Sequence, residues 1–239
     1  MLILAVDTST RAGSVALLRD KQLLGEVSAH EATPYSARLF RDIELLQSSA
    51  NFRMDQIDLF AVAAGPGSFT GLRVGLTAVK GWAEVHHKPI AAVSGLEAIA
   101  AQATSAQGNT NDELISPFLD ARKGYVFGST YRLSPGLPSA LQLVGEEAIL
   151  PVEEFLNLVK RNCGLQRAVL VSSTPEALPP DLVESILPGA RIMHVSPSLA
   201  PAIGLLGFDC ANRGEVVDPI GLDANYIRRS DAEAARTGA

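Results

Sequence analysis

Residues 65–75 read Gly65-Pro66-Gly67-Ser68-Phe69-Thr70-Gly71-Leu72-Arg73-Val74-Gly75, and no other stretch constrains the fold as tightly. The apolar run Asp58-Leu59-Phe60-Ala61-Val62-Ala63-Ala64 leads into it, and a helical pattern leaves it. A buried strand, a glycine turn and a helix start therefore meet at one joint. Glycine permits positive φ and close approach of backbone to a neighbour. A helix N-terminus carries unpaired N–H groups and partial positive charge, so the joint could receive an anion, another protein or its own chain. It is not a P-loop, because no lysine follows the glycines until Lys80. Nor is it the dinucleotide fingerprint, since Gly65, Gly67 and Gly71 are spaced GxGxxxG. In the helix that follows, Gly71 and Gly75 share one face, which Ala78 and Trp82 continue. Each helical glycine costs about 1 kcal/mol against alanine. Close packing on that face is expected to offset the cost, against either the chain's own sheet or a helix of another chain.

The flanking sequence alternates strands and helices. Leu2–Val6 reads as a buried strand, and 13–18 with 22–27 as two more, joined by a hairpin at Arg19-Asp20-Lys21. Three strands in succession make a meander, where a Rossmann fold would place a helix after the first. Thr33-Pro34 reads as a helix cap, with the helix running to Ala50 through Leu39, Ile43 and Leu46, and with Phe40 and Leu45 beside them. Further strands are expected at 57–64, 90–93, 114–119, 125–131, 140–144, 168–172 and 192–195. Helices are expected at 71–86, 96–106, 151–160 and 198–212. The polar stretch 105–113 reads as the lobe boundary. This gives an N-terminal lobe at 1–106, a C-terminal lobe at 107–229 and a flexible tail at 230–239. The helix 198–212 is a candidate to pack back on the first lobe.

Composition narrows the function classes. The chain has 239 residues, 47% hydrophobic and 19% charged, with a formal net charge of −6. That balance suits a large core, leaves room for a covered partner surface, and disfavours nucleic-acid binding by this chain alone. The two cysteines form no CxxC pair and read as reduced thiols of a cytoplasmic protein. The apolar start, ended by Asp7, reads as a first strand and not a signal peptide, and no apolar run reaches bilayer length. The four histidines form no HxxxH or HExxH motif, so no metal site is expected.

The two halves echo each other. Leu2–Leu18 and Leu114–Tyr131 both read apolar strand, aspartate (Asp7 or Asp120), short turn, then a strand after a glycine. Such hairpins recur by chance in α/β proteins. The alternative is a duplicated α/β fold with a mixed sheet in each lobe, which resembles the two-lobed actin-like (ASKHA, ribonuclease H-like) superfamily of actin, hexokinase and Hsp70.

The ordered motifs are more specific. Leu4-Ala5-Val6-Asp7-Thr8-Ser9-Thr10 with Ser14-Val15-Ala16, then Gly65–Gly75, then Asp120-Ala121-Arg122-Lys123-Gly124, and finally Asn225-Tyr226-Ile227-Arg228-Arg229 resemble the TsaB (YeaZ) family. The resemblance spans nearly the whole chain. It implies a glycoprotease-like paralogue of TsaD that takes part in making N6-threonylcarbamoyladenosine at position 37 of tRNAs reading ANN codons. It implies a non-catalytic subunit that binds TsaD, with the ATPase TsaE, and a candidate homodimer. tRNA would be met only through the complex, and no membrane is involved. No cofactor is implied for this chain alone, with ATP or ADP left open at the junction with TsaD. One departure is Tyr35, where many members carry a histidine.

The resemblance also implies site residues. In the superfamily, Asp7 and Asp120 stand where metal-binding carboxylates would, yet the loops after them lack the glycines that close around phosphate. Asp7, Ser9, Ser68 and Asp120 are the candidates for nucleotide or anion contact. Family interface helices carry over to Leu39, Ile43, Leu46, Gly71, Val74, Gly75 and Ala78 as candidates for the partner interface. The competing reading is an independent enzyme, either an actin-like ATPase or kinase or a metallopeptidase.

Overall fold

A computed structural model describes residues 1–28, 35–107, 114–133, 141–164, 166–223 and 225. His30, the Thr33-Pro34 cap, residues 108–113 of the expected boundary, Tyr226–Arg229 of the last motif and the tail lie outside the described residues. In chain order the strands and helices are β1 (Leu2–Asp7), β2 (Ser14–Arg19), β3 (Gln22–Ser28), α1 (Tyr35–Ala50), β4 (Leu59–Gly65), α2 (Phe69–His86), β5 (Ile90–Ser94), α3 (Gly95–Gln107), β6 (Leu114–Arg122), β7 (Tyr125–Leu133), β8 (Leu141–Pro151), α4 (Val152–Cys163), β9 (Val169–Ser172), α5 (Pro180–Ile186), β10 (Arg191–His194) and α6 (Ala200–Asn212). Short 3-10 turns at Met54–Gln56 and Pro175–Ala177 complete the described elements. The seven-residue α5 is not anticipated by the sequence reading, because its Pro179-Pro180 entry resembles a loop.

The chain forms two units, Met1–Gly95 with Ser198–Ala239, and Leu96–Pro197. The division therefore falls at 95/96 and 197/198, not at 106/107. In the first unit the sheet order is β3-β2-β1-β4-β5, with β1–β2–β3 antiparallel and β1–β4–β5 parallel. In the second the order is β10-β9-β6-β7-β8, with β6–β7–β8 antiparallel and β6–β9–β10 parallel. Counted from each unit's own first strand, these are the same topology. The echo read in the sequence is therefore a duplicated α/β unit, as in actin-like folds.

Strand alternation explains the layers of the first unit. Leu4, Val6, Val15, Leu17, Phe60 and Val62 pack with Leu39, Ile43 and Leu46 of α1 and Leu72, Leu76 and Val79 of α2. Residues of the opposite parity face α6, where Gly207 lies over Ala61 and Ala91 and Gly204 lies against the Leu18 side chain. Small residues there let α6 approach the sheet closely. That packing on β1, β2, β4 and β5 is why the segment after Ser198 joins the first unit. β1 is apolar along its length because both its faces are covered. Each fully buried Leu or Val side chain stabilises the unit by roughly 1.5–3 kcal/mol relative to exposure.

In the second unit, Phe155, Leu156, Val159 and Cys163 of α4 pack on Phe118, Val126 and Leu170. Burial pushes the Cys163 thiol up from its ordinary pKa, which makes it a core residue and not a nucleophile. α4 opens on Glu153 and Glu154 and closes on Lys160 and Arg161, an arrangement that complements the helix dipole.

Candidate functional site

The joint at 65–75 is built from β4, a turn with a cis Gly65-Pro66 bond, and α2. Gly65 has φ of 125°, and a Cβ there would meet the Asn225 carbonyl oxygen at 2.6 Å. The Asn225 amide in turn donates to the Ala64 carbonyl oxygen at 2.7 Å. Two motifs far apart in sequence thus meet across Gly65. Ser68 is the N-cap of α2, and its hydroxyl accepts from the Gly71 amide at 3.3 Å.

What faces this helix start is the chain's own first loop. The Ser68 amide donates to the Ser9 carbonyl oxygen at 2.8 Å. A Cβ on Gly67 would sit 2.5 Å from that oxygen. A Cβ on Gly71 would collide with the Thr8 carbonyl oxygen, and one on Gly75 with the Thr8 hydroxyl, both well inside 3.0 Å. The Thr8 hydroxyl donates to the Gly71 carbonyl oxygen at 2.7 Å. Gly67, Gly71 and Gly75 are therefore glycines because Thr8 and Ser9 occupy the space beside them. A phosphate needs donors at that position, and the first unit presents the Thr8 and Ser9 carbonyl oxygens instead. The residues here do not fit a nucleotide phosphate.

Asp7 is fully buried at the end of β1. Its Oδ1 accepts from the Ser9 amide at 2.8 Å and from the Ser9 hydroxyl at 2.6 Å, while Oδ2 is buried with no hydrogen-bond partner. Burial pushes its carboxyl above the ordinary range, and the Ser9 contacts with the Thr10 hydroxyl offset part of that push. Asp7 and Ser9 thus close a turn on themselves.

In the second unit, Asp120 is half-buried. Its Oδ1 accepts from the Arg122 amide at 2.8 Å, and its Oδ2 lies 3.4 Å from the Arg122 guanidinium. Arg122 and Lys123 take φ of 70° and 55° in this tight hairpin. Asp120 is therefore held by its own loop. Among the described residues, no three His, Cys, Asp or Glu side chains gather as a metal site.

The seven interface candidates separate by burial. Leu39, Ile43 and Leu46 are 0–4% exposed and belong to the core under α1. Gly71 and Gly75 face Thr8 inside the same unit. Helical periodicity identifies one face of a helix but not which side of the sheet that face meets, and here it meets the chain's own sheet. Val74 and Ala78 are half-buried and stay at the surface edge.

The outer faces of α1 and α2 carry different residues. Phe40 and Val85 are 59% and 72% exposed, Leu45 is exposed, and the half-buried Trp82 ring meets Phe40 edge-on with centroids 6.1 Å apart. A Cβ on the exposed Gly81 would meet nothing within 4 Å. The missed signal was in the sequence. Phe40, Leu45 and Val85 fall off the apolar period that defines the core, so they are apolar where the period calls for polar residues.

The family model of TsaD, tRNA N6-adenosine threonylcarbamoyltransferase, matches residues 25–176. The TsaB protein of Bacillus subtilis (strain 168), a tRNA threonylcarbamoyladenosine biosynthesis protein, is 31% identical over 234 residues, which cover 98% of this chain and 97% of that one. TsaB of Escherichia coli (strain K12) is 35% identical over 135 residues, 55% of each chain. The solved structure of YeaZ from Pseudomonas aeruginosa matches with a TM-score of 0.73 at 29% identity, over 94% of this chain and 99% of that one. The ROK hexokinase of Thermus thermophilus matches with a TM-score of 0.53 at 12% identity, over 90% of this chain and 100% of that one, a likeness of fold alone.

Proposed function

We propose, from the premise that this chain belongs to the TsaB family of tRNA threonylcarbamoyladenosine biosynthesis proteins, that it serves that modification as a non-catalytic subunit. The observation that carries this reading is the self-filled joint. The helix start that could hold a phosphate faces the Thr8 and Ser9 carbonyl oxygens, and Asp7 is locked in its own turn. Catalysis then falls to a partner, TsaD, acting with TsaE on adenosine 37 in the cytoplasm. Any ATP or ADP sits at the junction with TsaD, and tRNA is met only through the complex. The surface offered to TsaD, or to a second copy, is the outer side of α1 and α2, with Phe40, Val74, Ala78, Gly81, Trp82 and Val85 replacing the buried candidates. Exposed apolar side chains clustered on a surface helix pair are the kind of feature a partner covers.

Reconstitution with TsaC, TsaD and TsaE tests the role. Omitting this chain is expected to abolish tRNA modification, and equal modification without it refutes the proposal. Val85→Asp is expected to weaken TsaD binding at least tenfold with an unchanged melting temperature, because the side chain is exposed. Turnover of Mg-ATP by the purified chain, lost in Asp7→Ala, would overturn the non-catalytic reading.

A further inference from the structure

Among the described residues, the non-glycine positions with positive φ are Asp20, Asn51, His87, Arg122 and Lys123. Asp, Asn and His are the side chains that tolerate left-handed backbone best. Arg122 and Lys123, with φ of 70° and 55°, are not of that kind, and they are adjacent. Both lie in the β6–β7 hairpin, where Arg122 is registered opposite Tyr125 and Lys123-Gly124 form the two-residue turn. Such a turn needs positive φ at both central residues, and Asn-Gly is the pair that takes it up at least cost. Arg122 is compensated locally, because Asp120 accepts from its amide at 2.8 Å and lies 3.4 Å from its guanidinium. The Lys123 side chain makes no hydrogen bond or ion pair among the described residues. Residues 122–125 are all exposed. The packing of the second unit therefore does not account for a lysine at this turn.

We infer that this hairpin tip is an RNA contact, through which Arg122, Lys123 and Tyr125 touch tRNA inside the assembled complex. Arg122 and Tyr125 share one face of the hairpin as a cross-strand pair. A planar guanidinium, an aromatic ring and an ammonium together suit an unstacked nucleotide, whose base stacks on a flat group and whose phosphodiester meets the cation. The tip is braced, because the Gly124 carbonyl oxygen accepts from the Val152 amide at 3.1 Å. Contact is therefore made with little loss of conformational freedom. Glu153 and Glu154 follow on the first turn of α4, where the helix dipole favours them. With the chain's net charge of −6, they confine the contact to the tip and keep the affinity of the chain alone low. The inference rests on the reading of this chain as a subunit of the tRNA-modifying complex.

Lys123→Asn keeps the turn and removes the cation. In the free chain it is expected to raise Tm by about 2 °C, because asparagine takes left-handed backbone more readily. In the complex with TsaD and TsaE, tRNA affinity is expected to fall about fivefold at about 0.15 M salt. The slope of log K against log salt is expected to shrink by about 0.8, the loss of one phosphate contact. Tyr125→Val is expected to weaken tRNA binding about fivefold or more with an unchanged slope, because a stacked ring releases no counterion. Both variants are expected to bind TsaD as the natural chain does. A fall in Tm for Lys123→Asn, or loss of its TsaD binding, assigns the lysine to the fold or to a protein interface and overturns the RNA contact. Natural tRNA affinity and slope for both variants, in a complex whose activity requires this chain, overturn the contact alone. Equal tRNA modification without this chain overturns the contact together with the subunit reading.

Discussion

Two glycines of one helix are expected to respond to the same substitution with opposite signs. Gly81→Ala places a methyl in open space on α2, with no atom within 4 Å. Replacing a helical glycine by alanine then stabilises by about 1 kcal/mol, a rise of about 2–4 °C in Tm for a chain of this size. Gly75→Ala gains the same propensity, but its Cβ collides with the Thr8 hydroxyl. That hydroxyl cannot swing away freely, because it donates to the Gly71 carbonyl oxygen at 2.7 Å. Overpacking of this kind costs about 1–3 kcal/mol, and loss of the hydrogen bond adds about 1 kcal/mol. The net expectation is a loss of about 2 kcal/mol. Thr8→Ala removes the obstacle, since the next contact, the Thr8 Cβ, is an ordinary 3.5 Å away. In that background Gly75→Ala is expected to stabilise by about 1 kcal/mol, so the double-mutant cycle should show a coupling of about 3 kcal/mol. Urea or thermal unfolding of the four chains measures it. If Gly75→Ala raises Tm as Gly81→Ala does, or if Thr8→Ala fails to reverse its sign, the account of why these glycines exist is wrong.

Two further outcomes follow from burial. Asp7 binds its proton more tightly folded than unfolded, so its contribution is full below the ordinary carboxylate pKa and is lost as pH rises through the raised folded value; Asp7→Asn, which keeps the acceptor for Ser9, should therefore gain Tm over the natural chain at pH 8 and lose that advantage toward pH 4, and a pH-independent difference refutes the raised value. Leu46→Ala should cost about 2–5 kcal/mol by opening a cavity in the first unit, whereas Phe40→Ala should cost about 1 kcal/mol or less and instead weaken TsaD binding; unfolding and binding titrations of the pair separate core from surface.

The sequence reached far into the fold. Apolar runs, glycine turns and the aspartate-bearing strands placed the first meander and the long helices to within a few residues, because strand and helix periods are local properties of the chain, whereas the strand expected at 140–144 runs on to Pro151. The order of motifs pointed to the family for the same reason, since a motif is a local string. The expected break at 105–113 did not divide the units, because a polar, turn-rich stretch marks a connection and says nothing of which sheet the later helix α6 will cover.

The candidate site was legible only in part. By itself the sequence determined that Gly65–Gly75 is a strand-to-helix joint needing close approach, and that Asp7 and Asp120 lie at or near the ends of equivalent strands. Only the tertiary structure decided what approaches. Gly71 and Gly75 give way to Thr8, more than sixty residues earlier, and Leu39, Ile43 and Leu46 turn to the sheet while Phe40 and Val85 turn away. The physical reason is that a helical period fixes which residues share a face. Which face is buried depends on the crossing of elements distant in sequence, and no local pattern records that.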